Sequence, residues 1–183
     1  MAKRYFTSLL FVLGLMGCSH IHQDAESLKL GYKQSASDTV IYTSVVQILQ
    51  NTRRNLPADV QLVVLQGRVL LVGYVSTAQE HIQVINAIWQ IKGVHEVIDH
   101  LEHVSSDNKK GFGLKNAFIK TQLDANLLTN PSLKYGDFKY IIFKDNLYAL
   151  ACITSEKQKN DFFNLIRKTP SIQKVFFYDM HRQ

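Results

Sequence analysis

The sequence predicts an α+β chain in which a helix–strand–strand–helix–strand unit occurs twice. Three observations carry that expectation. Apolar residues alternate along two runs, Val60 to Leu65 and Val69 to Val75, and the break Gln66-Gly67-Arg68 between them has the form of a β-hairpin turn. Residues at helical spacing flank the pair: Val40, Ile41, Val45, Ile48 and Leu49 before it, and Ile82, Ile85, Ile88 and Trp89 after it. The whole pattern then recurs at an offset of 78 residues without a gap.

Taken in order, the first helix is expected to begin near Asp38, a good N-cap, and to stop before Asn55-Leu56-Pro57. Pro57 has no N–H with which to continue it. Val60, Leu62 and Val64 alternate as the first strand, and Val69, Leu71, Gly73 and Val75 as the second. Gly73 inside a strand marks a close approach to the backbone. Ser76 or Thr77, with Gln79 or Glu80, is expected to form a capping box for a second helix. That helix is expected to bury Ile82, Ile85, Ile88 and Trp89 or close neighbours, and Lys92-Gly93 ends it. Val94 to Val104 reads as the third strand.

The repeat follows residue by residue. Asn116 takes the place of Asp38, and Ile119, Leu123 and Leu127 take those of Ile41, Val45 and Leu49. Phe138, Tyr140 and Ile142 stand for the first strand, Leu147, Ala149 and Ile153 for the second, and Ala151 for Gly73. Ile172 and Val175 match Val94 and Val97. Two helices cover one face of a three-stranded sheet. The other face carries Leu70, Val72 and Tyr74 in the first unit, and Ile141, Phe143, Tyr148, Leu150 and Cys152 in the second. A solvated face would be polar, so these faces are expected to be covered by the sister unit or by a partner.

The first residues read as an export signal. Lys3 and Arg4 precede an apolar stretch, Tyr5 to Met16, too short to span a bilayer. It runs into Leu15-Met16-Gly17-Cys18, which resembles a bacterial lipobox. The expected organisation is a lipoprotein signal peptide over 1–17, a lipidated flexible tether over 18–37, a domain over 38–104, a polar linker over 105–114 and a second domain over 115–181. Cys18 is the expected lipidation site, and Ser19 after it favours the outer membrane by analogy. His20 and His22 lie on the tether with no third ligand, so a metal site there is not expected. Cys152 is then the one remaining thiol, expected as a small buried hydrophobe.

Charge divides unevenly. The chain is formally +6. Residues 37–104 carry four basic and six acidic side chains, whereas residues 109–183 carry thirteen basic and six acidic ones. The second half is the one drawn to anionic surfaces, lipid headgroups or cell-wall polymer rather than nucleic acid.

The order α-β-β-α-β, with Gln66-Gly67-Arg68-Val69-Leu70-Leu71-Val72-Gly73 and then Gly93-Val94-x-x-Val97, resembles a BON domain. Two such units behind a lipidated cysteine are similar to the dual BON-domain outer-membrane lipoproteins of Gram-negative bacteria. The second unit departs from the pattern: it lacks the hairpin glycine, Ala151 replaces the strand glycine, and Ser171-Ile172 replaces Gly-Val. The resemblance implies a non-enzymatic protein with no cofactor, on the periplasmic face of the outer membrane, supporting the membrane barrier. It further implies contact with anionic phospholipid through the first helix of the second domain and the loop before it. Phe118 stands at the family's membrane-contacting aromatic, with Lys109, Lys110, Phe112, Lys115 and Lys120 around it. In physical terms, basic side chains near an anionic surface contribute about 1 kcal/mol each, and Phe112 and Phe118 can insert shallowly. The competing reading makes Phe118 core, like Val40, and the lysines a solvated linker.

Catalytic constellations are absent: there is no phosphate-binding glycine loop, no supported Ser-His-Asp set and no paired carboxylates. His95, Asp99 and His103 share one strand face by alternation, but without a supporting metal motif they read as a surface strand. The alternative function is a structural subunit of an envelope complex with a protein partner, such as a secretion system. A free apolar sheet face would favour it.

Overall fold

The computed structural model describes residues 21–104, 113–133, 135–169 and 171–180, with side chains from residue 37 onward except Tyr135. The expected signal peptide, Cys18, His20, Lys109, Lys110 and Phe112 lie outside the described residues. The chain divides into two units, Met1–Gln34 and Ser35–Gln183. Of the first, residues 21–34 are described, as helical backbone. No described helix is long and apolar enough to cross a membrane.

The second unit holds both αββαβ motifs. Helix α1 (Ile21–Thr52) is followed by a short helix α2 (Leu56–Asp59), strands β1 (Val60–Leu65) and β2 (Arg68–Val75), helix α3 (Ala78–Trp89) and strand β3 (Glu96–His103). The repeat consists of α4 (Leu114–Leu128), a 3-10 turn (Tyr135–Asp137), β4 (Phe138–Phe143), β5 (Asn146–Ala151), α5 (Glu156–Arg167) and β6 (Lys174–Asp179). The sheets have the order β1-β2-β3 and β4-β5-β6. β1 runs antiparallel to β2 with Val60 opposite Gly73, and β2 runs parallel to β3 with Arg68 opposite Glu96. Adding 78 reproduces both registers, Phe138 opposite Ala151 and Asn146 opposite Lys174.

Local chemistry repeats as well. Thr77 and Ser155 accept from the backbone N–H of Glu80 and Gln158. Glu80 and Gln158 reach back to the N–H of Ser76 and Thr154, completing the capping boxes. Both hairpins turn through two residues at positive φ, Gln66 and Gly67 in one and Lys144 and Asp145 in the other. That is the geometry that matches strand twist. The lone glycine of β2 is required by a close approach: a Cβ on Gly73 would lie 2.2 Å from the carbonyl oxygen of Asp59, at the end of α2.

The described backbone corrects three expectations. Residues 21–36, expected as a flexible tether, are helical, and α1 begins 17 residues before Asp38. The stretch has no proline and is rich in strong helix formers such as Ala25, Glu26, Leu28, Lys29 and Leu30. It lacks an apolar stripe, which is the signal that periodicity detects. Asp38 therefore caps no helix. Its carboxylate accepts from the backbone N–H groups of Gln66 and Gly67 at 2.7 and 2.9 Å, pinning the hairpin turn to α1. Asn116, its counterpart, does not cap α4 either and accepts from Asp145 N–H at 3.4 Å. The third correction concerns α3. Val84 and Ile88 are fully buried, but Ile82 and Trp89 are 56% and 47% exposed. The capping box fixes the helix phase and turns Glu80, Val84 and Ile88 toward the sheet.

Three apolar layers result. Ile41, Val45, Leu49, Val84 and Ile88 pack on one face of the first sheet. Ile119, Leu123, Leu127, Phe162, Leu165 and Ile166 pack on one face of the second. The remaining two sheet faces cover each other: Leu65, Leu70, Val72, Tyr74 and Ile98 meet Ile141, Phe143, Tyr148, Leu150 and Cys152. The layer order is thus helix, sheet, sheet, helix. Across the central layer the contacts follow the internal repeat. Gln66 Nε2 donates to Cys152 Sγ at 3.2 Å, and in the equivalent contact Lys144 Nζ lies 5.1 Å from the Tyr74 ring centre. His100 and Tyr178, equivalent positions, hydrogen-bond each other, as residues on a two-fold axis meet their own counterparts.

Two outcomes follow for stability. Gly73→Ala forces the Asp59 carbonyl to move, and a loss of about 2–4 kcal/mol is expected in urea unfolding. A change within 0.5 kcal/mol or so would show that the α2–β1 junction yields freely. Burial holds the His100 imidazole below its ordinary value, with the Asp99 charge opposing. Tyr148, Phe176 and Tyr178 face it from the other sheet, and Glu96 and Asp99 lie on its own strand. The folded state thus disfavours its protonation, so this contribution is intact above pH of about 6.5 and is lost as the pH falls below it. The unfolding midpoint is expected to drop between pH 7.5 and 5.5, and His100→Phe to reduce that drop.

Candidate functional site

Helix α4 is apolar on two opposite sides. Its inner side buries Ile119, Leu123 and Leu127. At 100° per residue the opposite side carries Leu114, Phe118, Thr121, Ala125 and Leu128, and all five are exposed. Leu114 is 92%, Phe118 62% and Leu128 74% exposed. Phe118 is therefore not core, and neither is its counterpart Val40, which is 65% exposed. The apolar line extends over the full helix, roughly 21 Å at 1.5 Å per residue. Leu114 and Leu128 were not singled out from the sequence. The signal was present in their spacing of fourteen residues along the face opposite the core.

Two lysines flank this line, one on each side. Lys115 pairs with Asp145 at 2.6 Å, beside the second hairpin turn. Lys120 pairs with Asp124 one turn on, at 2.7 Å, with its ammonium 5.3 Å from the Tyr140 ring centre. Tyr140 donates to the same Asp124 carboxylate. Both lysine side chains are more than half exposed. Ion pairs at this exposure contribute about 0–1 kcal/mol, so exchanging the carboxylate for a phosphate oxygen costs little. The site joins an exposed apolar ridge to two exposed cations.

The strand-three histidines do not form one group. His95 precedes β3 and lies against the first hairpin, where its ring would touch a Cβ on Gly67. His81 of α3 joins Asp99 and His103 instead, with Nε2 2.5 Å from Asp99 Oδ2 and Nδ1 2.9 Å from His103 Nε2. His81 was missed because the contact crosses from helix to strand. The two bonds use different nitrogens of one ring, which chains the groups rather than converging them. Among the described residues no cluster of three or more His, Cys, Asp or Glu could hold a metal ion. Cys152 is buried between the sheets at 1% exposure.

No curated protein matches the sequence. Among solved structures, the C-terminal domain of CdsD, the structural protein of the type III secretion system of Chlamydia trachomatis, aligns at 12% identity with a TM-score of 0.30. A second CdsD structure aligns at 14% with a TM-score of 0.27. These alignments cover 74% and 72% of this chain but 63% and 60% of the CdsD chains, so it spans less than two thirds of their length. The family model of the BON domain matches residues 37–104, the whole of the first αββαβ motif within the second unit. Residues 37–104 are a BON domain.

Proposed function

We propose that this chain is a lipid-anchored envelope protein that binds anionic phospholipid through the outer face of α4 and supports the outer-membrane barrier. The observation that carries the reading is the exposure of Phe118, 62%, in line with Leu114 and Leu128 on a helix whose core needs are met by its other side. Burying an exposed large apolar side chain contributes about 1.5–3 kcal/mol. Lys115 and Lys120 add about 1 kcal/mol each near an anionic surface. Lys109, Lys110 and Phe112, just before α4, extend the same composition. Cys18 supplies the anchor in this reading, after cleavage of residues 1–17, and holds the molecule at the periplasmic face of the outer membrane. No catalytic step and no cofactor belong to it. The rival role as a subunit of an envelope complex drew its support from free apolar sheet faces, and those faces are buried against each other.

The test uses the unlipidated chain, Cys18→Ser, and vesicles of phosphatidylglycerol in phosphatidylcholine. Phe118→Asp and Leu128→Asp are each expected to weaken co-sedimentation at least tenfold. The triple change Lys109/Lys110/Lys115→Glu should abolish its dependence on anionic lipid. Circular dichroism should stay unchanged in all of them. Binding that is indifferent to Phe118 and Leu128 would rule out α4 as the contact.

A further inference from the structure

Three polar side chains join the start of helix α3 to strand β3. His81 lies in the first turn of α3, and Asp99 and His103 share one face of β3, an edge strand. Both oxygens of Asp99 are engaged: Oδ1 accepts from the Leu101 N–H at 2.9 Å, and Oδ2 lies 2.5 Å from His81 Nε2. A carboxylate only accepts, so Nε2 carries the proton, and in the neutral ring Nδ1 keeps its lone pair. His103 Nε2 stands 2.9 Å from that Nδ1, with the two ring centres 5.1 Å apart. The side chains of His81 and Asp99 are 23% and 31% exposed, and His103 is exposed as well, so solutes can reach the pair.

The internal repeat acts as a control for what the fold itself requires. Lys159 and Phe177 stand at the positions of His81 and Asp99. There Phe177 packs on Phe163 with ring centres 5.0 Å apart, so α5 meets its sheet through aromatic contact. His181, at the position of His103, lies outside the described residues. The same architecture therefore stands without the imidazole pair and its carboxylate, and the group is specific to the first motif.

We infer that His81 Nδ1 and His103 Nε2 are the two protein ligands of a late first-row divalent metal ion, copper(II) above nickel(II) and zinc(II). The ion takes the place of the proton between the two nitrogens once His103 carries its own proton on Nδ1. Two nitrogens bound at about 2.0–2.1 Å to one ion are ~2.9 Å apart at a right angle and ~3.3 Å apart at the tetrahedral angle. The observed 2.9 Å stands at the near end of that range, so turning the two rings admits the ion. Asp99 is not a ligand, because it is bonded to the other nitrogen of the His81 ring. It is a positioning residue: a carboxylate there fixes the tautomer and makes Nδ1 a stronger donor. Imidazole suits all three metals, and copper(II) heads their order of affinity. Two protein ligands leave the remaining positions to water or to a further donor, and the bound ion ties the start of α3 to the edge strand. None of this depends on the lipid contact of α4.

The test uses a reporter already in the chain. Trp89 is its one tryptophan and lies eight residues along α3 from His81, roughly 12 Å along the axis. Copper(II) bound at the pair is close enough to quench it. The full chain, unlipidated as Cys18→Ser, is titrated with copper(II) alone. His20→Gln and His22→Gln are made throughout, so that the amino-terminal histidines take none of the ion. Cys152, 1% exposed, does not compete. Quenching is expected to saturate at one ion per chain. His81→Gln and His103→Gln should each raise the half-saturating copper concentration at least tenfold, and Asp99→Asn about tenfold at unchanged stoichiometry. His95→Gln should leave it within about twofold. Circular dichroism checks folding, and His81→Lys is the second variant: the repeat carries lysine at this position, and an ammonium can pair with Asp99 but cannot ligate. Quenching that never saturates would overturn the inference. So would a half-saturation unmoved by the His81 and His103 substitutions, or one lost with His95→Gln. An unchanged half-saturation in Asp99→Asn would overturn the role given to Asp99.

Discussion

The packing of one sheet face on the other is the interaction on which this structure depends. A unit of about 65–70 residues has little core of its own. Each sheet here is apolar on both sides, and its two helices cover only one. Leu70, Val72 and Tyr74 would face water in a lone first unit, as Tyr148, Leu150 and Cys152 would in a lone second one. Set together they form a third core with no large polar face left over. Arg68 is the exception that shows the constraint. It is 4% exposed, and its guanidinium is held by Glu96 and by the carbonyl oxygen of Tyr178 at 3.1 Å. A buried cation persists only when its donors are met, and here one of the three bonds comes from the second motif.

Because the two αββαβ motifs are copies, their packing is close to that of a symmetric dimer built within one chain. Equivalent residues make equivalent contacts, and divergence between them is informative. In the first unit Arg53 bridges Glu80 and Asp59 at 2.7 and 2.6 Å. In the second the arginine is replaced by Pro131, Glu80 becomes Gln158, and Gln158 donates directly to Asp137 at 2.9 Å. Two carboxylates need a cation between them, whereas an amide and a carboxylate do not. The substitutions are coupled by charge, and each arrangement is complete. The outer helix faces have diverged without such compensation, since neither is constrained by packing. At the positions equivalent to Phe118 and Leu128 the first motif has Val40 and Gln50, and at those equivalent to Ile82 and Trp89 the second has Asn160 and Arg167.

Much of this was legible in the sequence. The offset of 78 carries through helix phase, strand register and hairpin geometry, because each is a period that duplication preserves. The double-sided apolar character of β2 and β5 was legible for the same reason: an unbroken apolar run in a strand needs cover on both faces. The misreadings have physical causes. Residues 21–36 form helix by propensity with no stripe to announce it. Asp38 looks like a cap by position, but its carboxylate is spent on a turn 28 residues away. Ile82 and Trp89 were read as core because an apolar residue at helical spacing carries no mark of which of two neighbouring faces it serves. The pairing of His81 with Asp99 and His103 depends on where α3 crosses the sheet, which no local pattern encodes.

The layer order has a consequence for how the molecule can act at a surface. Helices α3 and α4 belong to opposite outer layers, separated by two sheets, so their axes stand roughly 30 Å apart. Whatever occupies one leaves the other unobstructed. Between them the stacked sheets form a stiff body, because sliding one sheet would break contacts at the His100–Tyr178 axis and at both hairpins together. A substitution on the outer face of one of these helices is thus expected to leave the outer face of the other undisturbed.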